Sequence, residues 1–265
     1  MLRRRRKTPK SPAREARAPR PADATSGRRR ARSDAYVPPE LIISPRAPHR
    51  NGEVVLVTGF EPFGGETVNP SWDICTKLGG EIAGMRVETC LVPCEFRRSI
   101  EVVADAIEQH HPLLVICLGQ AGGRTHLGVE RVAINVDDAR APDNVGAQPV
   151  DEMIAANGPP AYFATIPIKA MAAAMRAAGA PTEVSNSAGT YVCNHLMYGV
   201  LHYLAASGHR ARAGFIHVPY SEQQVLDKRD VPGMALATMV KGVHAAIAAA
   251  REHRHDLKIA EGTLD

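Results

Sequence analysis

The sequence predicts an α/β fold: a single three-layer α/β/α domain with a mainly parallel twisted sheet, preceded by a disordered basic tail. Two observations predict the layers. Short runs rich in Val, Leu and Ile alternate with stretches of helical period between residues 53 and 252, the pattern of successive β-α-β units. Two of the runs, residues 54–57 and 113–118, are apolar without a break, as strands covered on both faces by helices are. A third observation predicts the tail. Of the 32 Lys and Arg, 15 fall in residues 1–50 against 4 of the 28 acids, so this segment carries +11 and the remainder −7. With eight prolines and almost no apolar periodicity, residues 1–50 cannot bury enough surface to offset the entropy of ordering. Their purpose stays open between a targeting leader, a nuclear-type basic run, an arm that contacts polyanions weakly, and an upstream extension from a mis-called start. The body from residue 51 is acidic, so the pI near 8.9 does not mark a nucleic-acid-binding domain.

The body opens with Glu53-Val54-Val55-Leu56-Val57-Thr58-Gly59, a β-branched run ending in glycine as a buried strand would. A loop with Phe60 and Phe63 follows, and Asn69 is placed to cap a helix with Pro70 at its first position. The glycines here do not form G-x-G-x-x-G, so no dinucleotide cofactor is expected. Residues 87–92 predict a second strand, 96–109 a helix and 113–118 a central strand. The loop Gly119-Gln120-Ala121-Gly122-Gly123-Arg124 then lies at a carboxyl strand end, where open sheets place ligands. Residues 125–128 are taken as the continuation of that loop. Glu130, Asp137, Asp138 and Asp143 follow in polar, turn-rich surroundings, where an acid taken alone is more often a solvated loop charge than a catalytic group. Residues 162–166 predict a strand, 167–178 an alanine-rich helix and 183–186 another strand. Residues 213–219 complete the sheet, a helix runs from about 234 to 252, and residues 254–265 form a polar C-terminal tail. The domain is thus bounded at 51–253.

Five cysteines, at 75, 90, 94, 117 and 193, form no disulfide framework, and no apolar run is long enough to span a membrane. A cytoplasmic, reducing setting with no membrane partner is expected. Cys90 and Cys94 have the spacing of half a zinc site, but no second pair follows, so no metal is expected.

Cys193 stands apart. It follows the small-residue turn Ser187-Ala188-Gly189-Thr190 and enters a helix whose Leu196, Met197, Val200, Leu201 and Leu204 recur at helical spacing. Unpaired N–H groups and the helix dipole at that position favour a thiolate and can donate to an oxyanion. The other reading is a small buried hydrophobe. His217, inside an apolar strand that ends at Pro219 two residues on, is the best candidate base, although a satisfied core histidine fits the same pattern. The remaining four cysteines read as packing residues.

Four blocks, in this order, resemble the pyroglutamyl-peptidase type I (pyrrolidone-carboxylate peptidase) family. They are Val57-Thr58-Gly59-Phe60-Glu61-Pro62-Phe63-Gly64-Gly65 with Asn69-Pro70-Ser71-Trp72; the stretch 119–124 with 130–135; Ala188-Gly189-Thr190-Tyr191-Val192-Cys193-Asn194-His195; and Gly214-Phe215-Ile216-His217-Val218-Pro219-Tyr220. The resemblance implies a cofactor-free cysteine peptidase that removes an N-terminal 5-oxoprolyl residue from peptides, with Glu130, Cys193 and His217 as its triad. It implies an oxyanion held by the Cys193 N–H and Arg140. It also implies a lactam ring set against Phe63, with Phe60 nearby, and read by Asn69, Gln120 and the backbone around Tyr191 and Val192. Similar proteins form tetramers, which leaves a homo-oligomer open. Two other readings remain: a binding protein with a spoiled site, and a nucleoside phosphorylase-like enzyme of related architecture.

Overall fold

The computed structural model describes residues 52–262; the expected disordered segment 1–50 lies outside them. Nine strands and five helices alternate along the described chain. The central strands β1 (Val54–Phe60) and β4 (Leu114–Gln120) are buried at every residue, which explains why both read as unbroken apolar runs. β3 (Met85–Val92) pairs parallel to β1, and β9 (Arg212–Val218) pairs parallel to β4. The seven-stranded sheet runs β2-β3-β1-β4-β9-β5-β8, where β2 is Glu81–Ile82, β5 is Leu127–Glu130 and β8 is Thr182–Ser185. Most pairings are parallel, as expected; β2 with β3 and β5 with β9 are antiparallel. Of residues 125–128, taken from the sequence as loop, the last two, Leu127 and Gly128, begin β5. A separate antiparallel pair joins β6 (Val132–Ile134) to β7 (Ala161–Phe163).

Helices cover both faces. On one, α1 (Pro70–Cys75), α3 (Ile168–Ala177) and α5 (Leu236–Glu252) pack through Ile74, Met171, Met175, Met239, Val243 and Ile247. On the other, α2 (Arg98–His110) and α4 (Val192–Ser207) pack through Val103, Ile107, Leu196, Met197 and Leu201. These are the i, i+4 stripes that a half-buried helix turns to a sheet. Asn69 caps α1 as its sequence position predicts: its Oδ1 accepts from Ser71 N–H at 3.1 Å, with Pro70 in the first turn. Ser71 Oγ in turn accepts from Phe60 N–H at 2.9 Å, so the cap also fixes the end of β1.

The residues after α5 are polar but engaged. α3 begins without a side-chain cap of its own, and the Asp256 carboxylate supplies one, accepting from Lys169 N–H and Ala170 N–H at 3.0 Å. Lys169 Nζ donates to Ile259 O at 2.6 Å, and Arg176 pairs with Glu261. The segment is a strap across α3.

Candidate active site

The site lies where β1, β4 and β9 end and α4 begins. His217 is the sixth residue of β9, and in register it faces Gly119 of β4 on one side and Gly128 of β5 on the other. Residues paired across a ladder point to the same face, so the two glycines leave open space on both flanks of the imidazole. Each space is filled by a functional group. A Cβ on Gly119 would lie 2.6 Å from Phe215 Cζ and 2.9 Å from Cys193 Sγ, and a Cβ on Gly128 would lie 2.6 Å from an Arg124 nitrogen and 3.5 Å from Glu130 Oε1. Glu130, two residues beyond Gly128 and hence on the same face, reaches His217 Nδ1 at 2.7 Å. Because β5 runs antiparallel to β9, this step carries Glu130 back toward the start of β9, beneath the imidazole, where it is wholly buried. Of the four ambiguous acids, Glu130 is the one that pairs with His217.

Cys193 is the second residue of α4, after Tyr191 at a cap position that makes no side-chain cap. The first-turn N–H groups are therefore free to face a ligand. The helix start was expected to favour a thiolate. Instead, burial pushes the Cys193 thiol up, with Cys94 and Glu130 adding to the rise and Arg124 opposing it. Burial thus works against the helix dipole at this position.

A cavity of about 350 Å³ opens over these groups. Cys193 and His217 line it together with Phe60, Phe63, Tyr191 and Val192, so all the apolar and backbone groups assigned to the ring from the sequence lie on its wall. Gln120 lines it too. Asn69 does not, because its side chain is committed to the α1 cap and to Glu61 O at 2.9 Å. Arg140 does not line it either, and is exposed. Its neighbour Ala139 is buried, its N–H donating to Pro149 O and its carbonyl accepting from the Gln148 amide. The guanidinium near the thiol is Arg124, whose Nη1 lies 3.3 Å from Glu130 Oε1.

Several contributors escaped the sequence reading. Arg124 had only its place in a glycine-rich loop at a strand end to mark it. Cys94, read as packing, is buried and also borders the cavity. Two residues after Cys193 in α4, His195 Nδ1 lies 2.7 Å from Asp137 Oδ2, and its Nε2 accepts from Arg97 N–H at 2.8 Å. Arg97 has φ of 65°, an unfavourable conformation for a residue with a side chain, and the bond to His195 holds it. The same turn places Phe96 edge-on to Tyr191 with centroids 5.5 Å apart. Asp143 braces this turn through Phe96 N–H at 2.9 Å, and Glu61 through Cys94 N–H at 3.1 Å. Asp138 is exposed. Among the described residues no group of three or more His, Cys, Asp or Glu is placed to hold a metal, and no helix is long and apolar enough to cross a membrane.

The chain is 51% identical over 211 residues to the pyrrolidone-carboxylate peptidase of Streptomyces coelicolor, covering 78% of this chain and 97% of that one. It is 48% identical to the enzyme of the same name from Brevibacillus brevis, covering 80% and 99%. Among solved structures, pyroglutamyl peptidase I from Bacillus amyloliquefaciens superposes with a TM-score of 0.75 at 43% identity, covering 77% of this chain and all of that one. The pyrrolidone carboxyl peptidase from Thermococcus litoralis superposes with a TM-score of 0.76 at 38% identity, covering 78% and 99%. Residues 53–253 match the pyroglutamyl peptidase family along their whole length, and the chain belongs to that family.

Proposed function

We propose that the protein removes an N-terminal 5-oxoprolyl residue from peptides through a thioester on Cys193, with His217 as base and acid and Glu130 as its partner. One observation carries the reading: His217 is bonded to a buried carboxylate at 2.7 Å on one flank and has the Cys193 sulfur in the space beside Gly119 on the other. The Glu130 carboxylate accepts from Nδ1–H, which leaves Nε2 as the acceptor for the thiol proton. As that proton transfers, Sγ attacks the carbonyl joining the oxoproline to the next residue. The oxyanion that forms is met by the N–H groups at the start of α4, that of Cys193 among them. His217 then protonates the departing amine, and the acyl group stays on sulfur. Water attacks the thioester after giving a proton to His217, and 5-oxoproline leaves with the thiol restored.

The cavity suits a neutral ring. Its one bordering carboxylate, Glu66, is paired with Lys228 at 2.9 Å, so nothing is left over to hold a free terminal ammonium. Phe60 and Phe63 offer apolar walls, and Gln120 with the backbone of Tyr191 and Val192 offers the polar contacts of a lactam. The binding-protein and phosphorylase-like readings gain no support from the family match. A polyanion contact through residues 1–50 rests on their charge alone.

The decisive assay is hydrolysis of an oxoprolyl anilide by the wild-type chain and by Cys193→Ala. Turnover by the wild type and a loss of at least about 10³-fold in the variant, with its fold retained, is the expected outcome. Full activity in Cys193→Ala removes the thiol from the mechanism.

A further inference from the structure

One wall of the cavity is held by a chain of side-chain amides. Gln120, the last residue of β4, is buried except where it borders the cavity, and its Oε1 accepts from Gln224 Nε2 at 2.9 Å. Gln224 can offer only that end of its amide. Its Oε1 accepts from Ser221 N–H at 3.1 Å, while its Nε2 also faces Glu66 Oε2 at 3.2 Å and Val68 O at 3.4 Å. The hydrogen bond from Lys228 holds the Glu66 carboxyl below the usual range, which keeps it a charged acceptor. A backbone N–H requires an acceptor here, and a carboxylate and a carbonyl require donors, so turning over the Gln224 amide would leave buried groups unpaired. Gln120 inherits that polarity. With Oε1 committed to Gln224, its Nε2 finds no acceptor among the described residues and turns to the cavity.

We propose that Gln224 is a positioning residue: it locks the Gln120 carboxamide with its NH₂ group toward the cavity, so that the site reads a ring carbonyl and discriminates against rings that lack one. The inference rests on the oxoprolyl reading above and names the group that sets its selectivity. Without Gln224 the Gln120 amide is free to present oxygen in place of nitrogen, and an acceptor facing a lactam carbonyl repels it. A site built to pair with a substrate group loses most against the ligand that carries the group, and little against one that does not.

The test compares the wild type with Gln224→Met, which keeps the length of the side chain and removes both amide functions. The variant is expected to raise KM for an oxoprolyl anilide about tenfold with kcat held within about threefold, the scale of one lost hydrogen bond. The inhibition constant of 2-pyrrolidinone should rise by the same factor. That of cyclopentanecarboxamide, a ring of equal size without a ring carbonyl, should not move. Alkylation of Cys193 by iodoacetamide, which bypasses Gln120, should keep its rate. Gln224→Glu, which puts an acceptor opposite Gln120, is expected to give the same pattern. Should neither variant fold, the ¹⁵N-labelled wild type decides: the Gln120 carboxamide protons shift on titration with 2-pyrrolidinone and stay put with cyclopentanecarboxamide. Equal weakening of both ring ligands, an unchanged 2-pyrrolidinone constant, or Gln120 protons indifferent to the lactam overturns the inference. A wild type that does not hydrolyse the anilide overturns the functional reading instead, so the two failures are distinct.

Discussion

At the scale of single residues the site balances burial against charge. Cys193 sits where the first turn of a helix favours an anion, yet burial pushes its thiol up, with Cys94 and Glu130 adding to the rise and Arg124 pulling the other way. Arg124 is held in place by Glu130 at 3.3 Å, so the carboxylate that orients His217 also orients the cation. Replacing Arg124 by Met removes the group that lowers the Cys193 thiol. The pH profile of Cys193 alkylation, followed by mass spectrometry of the modified peptide, should then move to higher pH. At pH 8 the reaction should slow about tenfold, the change that a one-unit shift produces. A profile that stays where it is would show that Arg124 does not act on the thiol.

Elements carry the next level of argument. β5 contributes four residues, and its direction matters more than its length. Inserted antiparallel beside β9, it puts Gly128 opposite His217 and Glu130 beneath it. Parallel, the same step from Gly128 would carry Glu130 away from the buried side. On the far face of the sheet, α3 depends on a cap supplied 86 residues away by Asp256. Asp256→Ala is expected to cost about 1 kcal/mol, as lost helix caps do, and to lower Tm by roughly 2–4 °C for a domain of this size. Asp256→Asn keeps an oxygen acceptor and should recover most of that loss. Because α3 packs on the face opposite α4, kcat/KM should not follow the change in Tm. Thermal melts of the three proteins check it, and an unchanged melt in Asp256→Ala would mean that the strap contributes nothing.

For the molecule as a whole, the buried thiols tie stability to alkaline pH. Burial pushes the thiols of Cys94 and Cys117 from an ordinary 9.0 up to about 12. Between those values the unfolded chain has released its thiol protons while the native protein keeps them, so the native state binds more protons and stability falls as pH rises. The loss begins near pH 9 and levels off near 12, where the native thiols ionise too. Each such thiol contributes up to about 1.4 kcal/mol per pH unit in that window. Tm measured from pH 8 to 11 should therefore fall more gently in Cys117→Ala than in the wild type. Parallel curves for the two proteins would remove Cys117 from the alkaline loss.

Local sequence by itself determined most of the elements and several of the residues. Unbroken apolar runs marked β1 and β4 because both faces of those strands are covered, and the Asn69-Pro70 pair marked the start of α1 because a cap is a local interaction. Cys193 was legible as a residue entering a helix, and His217 as a costly histidine in an apolar strand. Their partnership was not, because strand order and direction are set by packing between segments far apart in the chain. Glu130 and His217 are 87 residues apart, and nothing in residues 125–130 announces a short antiparallel strand. The resemblance to a family supplied that pairing before the structure did, but it also assigned Asn69 and Arg140 to the ring and oxyanion. In the structure the Asn69 side chain caps α1 and Arg140 is exposed, neither lining the cavity, while Arg124 stands beside Glu130. A motif fixes which side chains are available, whereas the backbone path beneath it decides where each one points.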